Sequence, residues 1–151
     1  MRVYADSSVF GGTEDKEFAK ESRAFFDLVR EGRFHLVISA LVRDELLDAP
    51  SGVTQLYEEM DTMAEVVEIT EDVIRLARAY VDAGVVTAKW QDDATHVALA
   101  SVARCELIVS WNFRHIVHFQ KIPRYNAVNV LQGYAPVAIH SPMEMISDEE
   151  G

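Results

Sequence analysis

The chain alternates short apolar runs with longer amphipathic stretches. Arg2 to Ala5 is a β-prone run ending at Asp6, and the SSVFGGT that follows reads as a loop from its serines and two glycines. From Glu14 to Glu31, Phe18, Phe25, Phe26 and Val29 keep to one helical face, with Thr13 as N-cap and Gly32 as C-cap. Phe34 to Ile38 is apolar throughout, as suits a strand buried on both sides; Ser39 then caps a helix running to Asp48, and Pro50 closes the unit. Val53, Leu56, Tyr57 and Met60 mark a short helix and Val66 to Ile69 a third strand, after which Thr70 caps a helix to Gly84. Asp92 or Asp93 opens the next helix, Glu106 to Ser110 is a strand, WNFRHI a loop, Pro123 to Leu131 a helix and Val137 to Ile139 a last strand. This rhythm predicts an α/β fold with a parallel sheet of about five strands and helices on both faces.

Composition narrows the class. With 151 residues, 49% of them hydrophobic, the chain has the makings of one domain with an adequate core, here taken as 1–143, followed by an acidic, frayed tail over 144–151. A single cysteine, Cys105, excludes an internal disulfide and multi-thiolate metal sites and points to the cytoplasm. Neither a signal peptide nor a membrane span is expected from the apolar runs. The net charge of −11 argues against a general polyanion binder, but it is unevenly spread. Leu107 to Met143 contains no acid and carries +3 through Arg114, Lys121 and Arg124, which leaves −14 on the remainder.

In open α/β sheets ligands sit beyond the carboxyl ends of the strands, so the acids there are the candidates. Asp6 follows the first strand directly, and Asp92 and Asp93 open a helix. Glu45 falls near the middle of the helix after the second strand, flanked by Leu41, Val42, Leu46 and Leu47, where a carboxylate requires a cationic partner. Several acids meeting in one crevice repel, and a hard divalent cation relieves that repulsion.

Four segments, YADSSVF (Tyr4 to Phe10), ISALVRDEL (Ile38 to Leu46), DDATHVALA (Asp92 to Ala100) and LIVSWNFRHI (Leu107 to Ile116), together resemble the signature segments of the PIN-domain ribonucleases, including VapC-type toxins of toxin–antitoxin modules. The GYAPVAIHSPMEMI ending is similar to a bacterial subgroup with a Trp-Asn loop. The resemblance implies a single PIN-like domain with an acidic pocket that binds Mg2+ or Mn2+ and cuts single-stranded RNA or tRNA, leaving a 3′-hydroxyl and a 5′-phosphate. It also implies a small antitoxin that occludes the pocket and allows for a homodimer. By position, Asp6, Glu45 and Asp93 take the catalytic and metal-binding places. Asn112 stands at the fourth catalytic place, where the family usually has Asp, so a second metal loses a charged ligand. Ser7, Arg114, His115 and Lys121 are the expected substrate contacts.

The first segment also resembles a haloacid-dehalogenase phosphatase start, but that chemistry needs a second Asp where this chain has Ser8. His115 and His118 read as solvent- or RNA-facing rather than as a metal pair, and His96 as a packed residue behind the acids. Trp111, Phe113, Phe119 and Tyr125 read as core or pocket wall, one of them able to stack on a base beside Arg114. Asn112 motivates the alternative function, a PIN-fold module that has lost cleavage and acts by binding.

Overall fold

The computed structural model describes the backbone of residues 1–150 and the side chains of residues 1–146. Five strands, β1 (Arg2–Ala5), β2 (His35–Ser39), β3 (Glu65–Val67), β4 (Leu107–Val109) and β5 (Ala138–His140), form one all-parallel sheet in the order β3-β2-β1-β4-β5. Val3, Tyr4, Ala5 and all of β4 are buried, which requires cover on both faces and explains their unbroken apolar sequence. The cover comes as two packed groups of helices. One comprises α1 (Ser7–Gly12), α2 (Ala19–Arg30), α3 (Ala40–Glu45), α4 (Ser51–Asp61) and α8 (Pro142–Glu150); the other comprises α5 (Glu71–Asp82), α6 (Gln91–Val102) and α7 (Ile122–Leu131). Among the described residues, no helix is long and apolar enough to cross a membrane.

Several boundaries differ from the sequence expectation. SSVFGGT is not a loop: Asp6 accepts a hydrogen bond from the Ser8 amide (3.1 Å), caps the first turn and starts α1. Thr13 accordingly ends α1, donating its hydroxyl to the Phe10 carbonyl (2.7 Å), and α2 starts only at Ala19. Gly12 sits where a Cβ would meet Ser22 Oγ at 2.5 Å and Trp111 Nε1 at 2.9 Å, so its presence within a helix follows from close approach. Helix α3 stops at Glu45 rather than Asp48, which puts Glu45 at a helix end. β3 starts one residue and ends two residues earlier than expected, β5 is displaced by one residue, and where a frayed tail is expected the backbone is helical over α8. Gly151 lies outside the described residues, as do the side chains of 147–150.

The basic stretch serves the fold more than expected. Lys121 Nζ donates to the Val85 carbonyl (2.7 Å), and Arg124 donates to the carbonyls of Ala83 and Gly84 (3.2 and 3.0 Å), just past the end of α5. Cations at a helix C-terminus satisfy carbonyls that have no partner within the helix. Lys121 is therefore a clamp on the α5 terminus and not one of the residues lining the acidic cleft described below.

At the amino edge, Arg2 makes a bidentate pair with Glu65 (2.6 and 3.1 Å) and also donates to the Ala103 carbonyl (2.8 Å), while His35 lies 3.2 Å from the same carboxylate. Three adjacent strands are thus tied at their first residues. Arg2 and His35 hold the Glu65 carboxyl down to about 2. A depressed carboxyl contributes stability that is present above its ordinary pKa and lost as pH falls toward the folded value. Glu65→Gln should lower the unfolding free energy at pH 7 by about 1 kcal/mol or less because the pair is partly exposed, read as a lower thermal midpoint, and the gap to the parent should close as pH falls from 4.5 toward 2. A gap that stays constant across that range overturns the assignment.

Candidate active site

The strand order reverses between β1 and β4, and at their carboxyl ends stand Asp6 and Ser110. Asp6 is only 3% exposed. Its Oδ1 accepts from the Ser8 hydroxyl (2.6 Å) and its Oδ2 from the Ser110 hydroxyl (2.6 Å), so both oxygens are engaged. Burial raises its pKa, partly opposed by His96 and by the Ser110 and Ser8 hydroxyls, and Glu45 adds to the rise.

His96, in α6, is the hub. It is 2% exposed, with Nδ1 at 2.7 Å from the Tyr4 hydroxyl and Nε2 at 2.6 Å from Glu45 Oε1. The Tyr4 hydroxyl in turn lies 2.8 Å from Ser39 Oγ at the end of β2. Burial alone would push the imidazole down; the Glu45 hydrogen bond and the charges of Asp6, Glu45 and Asp93 outweigh it and raise it. The cationic partner expected for Glu45 is therefore His96. Burial would raise Glu45, but the His96 hydrogen bond and charge, aided by Ser7 Oγ (2.9 Å), hold it below the ordinary carboxylate range. Ser7, expected to touch substrate, is thus a donor to Glu45.

Asp93 occupies the first turn of α6, which opens at Gln91 rather than at Asp92 or Asp93. Burial raises its carboxyl, against a hydrogen bond from Asn112 and the nearby His115 and His96; Glu45 again raises it. Asn112 has two tasks. Its Oδ1 accepts from the His115 amide (2.9 Å) and its side chain meets Asp93, so it shapes the WNFRHI loop and braces one acid. Asn112→Asp keeps the acceptor but sets two carboxylates against each other. The expected result is a lower thermal midpoint in metal-free buffer, with Mn2+ recovering more stability than in the parent; equal midpoints with and without Mn2+ in both proteins would overturn it.

Glu45 and Asp93 open onto a cleft of about 460 Å3, lined also by Asp92, Asn112, Lys89, Trp90, Arg114 and His115. Asp6 stands behind it. Of the three acids only Glu45 bonds His96, while Asp6 and Asp93 act on it through their charge, and among the described residues no group of three or more His, Cys, Asp or Glu is drawn into a ready-made metal cage. Arg114 is exposed and lies 5.3 Å over the Trp90 ring. His115 corrects an expectation: it is 8% exposed and stacked on Trp90 (4.4 Å, 27°), because the loop turns its ring inward. Tyr125 and Trp111 are buried as expected, Trp111 donating Nε1–H to Ser22 Oγ (2.7 Å), whereas Phe113 and Phe119 are exposed, Phe119 by 83%.

Three parts of the site escape the sequence reading. Lys89 and Trp90 lie in what reads as a connection, and nothing local marks them. Ser110 could have been found by the rule that picked out Asp6, since it ends an apolar strand in the same way.

Sheet order and helix placement give the chain a PIN-like fold. Two solved structures share it. One is a chain of VapBC2 from Rickettsia felis, crystallised bound to a DNA fragment from their promoter, with a TM-score of 0.59 at 13% identity over 93% of this chain and 98% of that one. The other is a chain of FitAcB from Neisseria gonorrhoeae, with a TM-score of 0.60 at 16% identity over the same shares of the two chains. No protein-family model and no curated protein matches the sequence. At such identities the likeness establishes the fold.

Proposed function

We propose that this protein is a metal-dependent endoribonuclease for single-stranded RNA, acting as the toxin of a toxin–antitoxin pair. The observation that carries the reading is that Glu45 and Asp93 line one cleft, with His96 bonded to Glu45 and influenced by the charges of Asp6 and Asp93. Asp6 is buried and Asp93 half-buried, and both carboxyls are raised; holding like charges in this way is costly, and sites of this kind are characteristic of chemistry.

The donors suit a hard cation, being carboxylate oxygens. Magnesium is usually held by one or two carboxylates with water and substrate phosphate rather than by a protein cage. Glu45 and Asp93 would hold Mg2+ or Mn2+, with the Asp6 charge behind them. When bound, such an ion lowers the pKa of a water and neutralises charge on the reacting phosphodiester. Ser7 and His96 both bond Glu45 Oε1 and so fix the orientation of the carboxylate. Asn112 steadies Asp93, and Arg114 draws the substrate phosphate toward an otherwise acidic protein.

An antitoxin would block the cleft by presenting a basic side chain to Glu45 and Asp93. The fold neighbour VapBC2, crystallised bound to DNA from their promoter, supports looking for such a partner. The second reading, a binding module without cleavage, is favoured by Asn112, whose side chain is occupied within the loop and adds no charge. Purified protein incubated with single-stranded RNA in Mg2+, Mn2+ or EDTA separates the two. Cleavage in metal, lost in EDTA and in Asp93→Asn prepared identically, supports the nuclease; RNA binding without cleavage supports the module.

A further inference from the structure

The acids are only part of the cleft lining. Lys89, Trp90, Arg114 and His115 line it too, and of these only Arg114 and His115 have so far been given any substrate role. Lys89 Nζ lies 5.1 Å and the Arg114 guanidinium 5.3 Å over the Trp90 ring, against which the His115 ring is also stacked. Among the described residues neither cation forms an ion pair, although Glu45, Asp92 and Asp93 line the same cleft and acids outnumber bases 25 to 14 in the chain. Two cations left without carboxylates in so acidic a protein are available to an anion.

His115 is the second, independent observation. It is more than nine-tenths buried at the cleft wall, and neither ring nitrogen has a hydrogen-bond partner. A buried polar group left unsatisfied is destabilising, and here two such atoms lie beside the aromatic ring and the cations. An aromatic platform, two cations and an unused donor–acceptor pair match the parts of a nucleotide: a base with a π face, a phosphate, and a hydrogen-bonding base edge or ribose hydroxyl.

We propose that Trp90, with Lys89, Arg114 and His115, forms a nucleotide-binding subsite that stacks one base of single-stranded RNA beside the acids Glu45 and Asp93. The proposal rests on the nuclease reading above and names how that site grips its substrate. Trp90 would be a substrate-binding residue contributing through its ring; Lys89 would add a phosphate contact. Base stacking tolerates any base, so this subsite confers affinity and register rather than strict sequence preference.

The test measures binding of a fluorescein-labelled short oligouridylate, and of the same ribose-phosphate chain made abasic, by anisotropy in EDTA. Trp90→Ala should weaken oligouridylate binding about 10-fold or more, with little effect on the abasic chain, and Trp90→Phe should retain most of the affinity. Lys89→Ala should weaken both probes and reduce the salt dependence of binding by about one phosphate contact. Thermal midpoints and Mn2+ binding by calorimetry check that each variant is folded with its acidic site intact. If Trp90→Ala is unstable, the abasic-against-uridine ratio in Trp90→Phe and Trp90→Leu, a flat ring against an aliphatic side chain, decides the matter. Equal binding of base-bearing and abasic chains by the parent, or equal oligouridylate binding by Trp90→Leu and the parent, overturns the subsite while cleavage still stands. Loss of both metal-dependent cleavage and RNA binding in the parent would instead sink the nuclease reading and the subsite with it.

Discussion

Asp93→Asn is expected to reduce metal-dependent RNA cleavage by at least about 100-fold while leaving the thermal midpoint unchanged or higher. Activity should fall because Asp93 is one of three carboxylates lining the cleft, with Glu45 and Asp92, and an amide oxygen at that place is a weaker ligand without charge. Stability should not fall, for a reason of sign. Burial and the proximity of Glu45 raise the Asp93 carboxyl, so its ionised form destabilises the fold above that pKa, a cost relieved on acidification. Removing the charge removes the cost, and the amide can still meet Asn112. Gel-resolved cleavage and thermal melts on the same preparations check both halves. A variant that melts earlier in metal-free buffer would show Asp93 to be structural; unchanged cleavage would show that the site lies elsewhere.

His96→Ala should be the most destabilising change in the site, by about 3 kcal/mol in metal-free buffer. The imidazole bonds Tyr4 on one side and Glu45 on the other, and it is the shared counter-charge of Asp6, Glu45 and Asp93. Its loss leaves the carboxylates repelling one another and opens a cavity in α6. Adding Mn2+ should narrow the deficit, since a bound cation restores the missing positive charge and favours the folded state. A double-mutant cycle with Glu45→Gln, measured by denaturant unfolding, should give a coupling of about 1 kcal/mol or more. A loss within about 0.5 kcal/mol, or additivity with Glu45→Gln, would reduce His96 to an ordinary packed residue.

The acids were legible before the structure because their position follows from local rules. Asp6 directly follows an apolar run, and in a parallel sheet every such residue falls on the carboxyl edge; Asp93 sits at the start of the helix that leads into β4 and therefore begins at that edge. The sequence reading set Glu45 mid-helix with some cationic partner, but α3 ends there and the partner is His96, 51 residues away. Helix α1 was hidden because serine and two glycines argue for a loop. Only the approach of Ser22 and Trp111 to Gly12 gives a physical reason for glycine there.

Hydrophobic periodicity, strand-end polarity and charge are written locally, so the sequence by itself determined the α/β class, the parallel sheet and the edge at which Asp6 lies. It also gave the sign of the acid-free stretch. The tertiary structure decided where long polar side chains find partners: Lys121 reaches the Val85 carbonyl 36 residues away, His115 turns inward against Trp90, and Lys89 lines the same cleft as the acids. A long side chain can reach any of several groups within a few ångströms of its backbone, and which groups those are is set by strand order and helix packing, neither of which has a local signature.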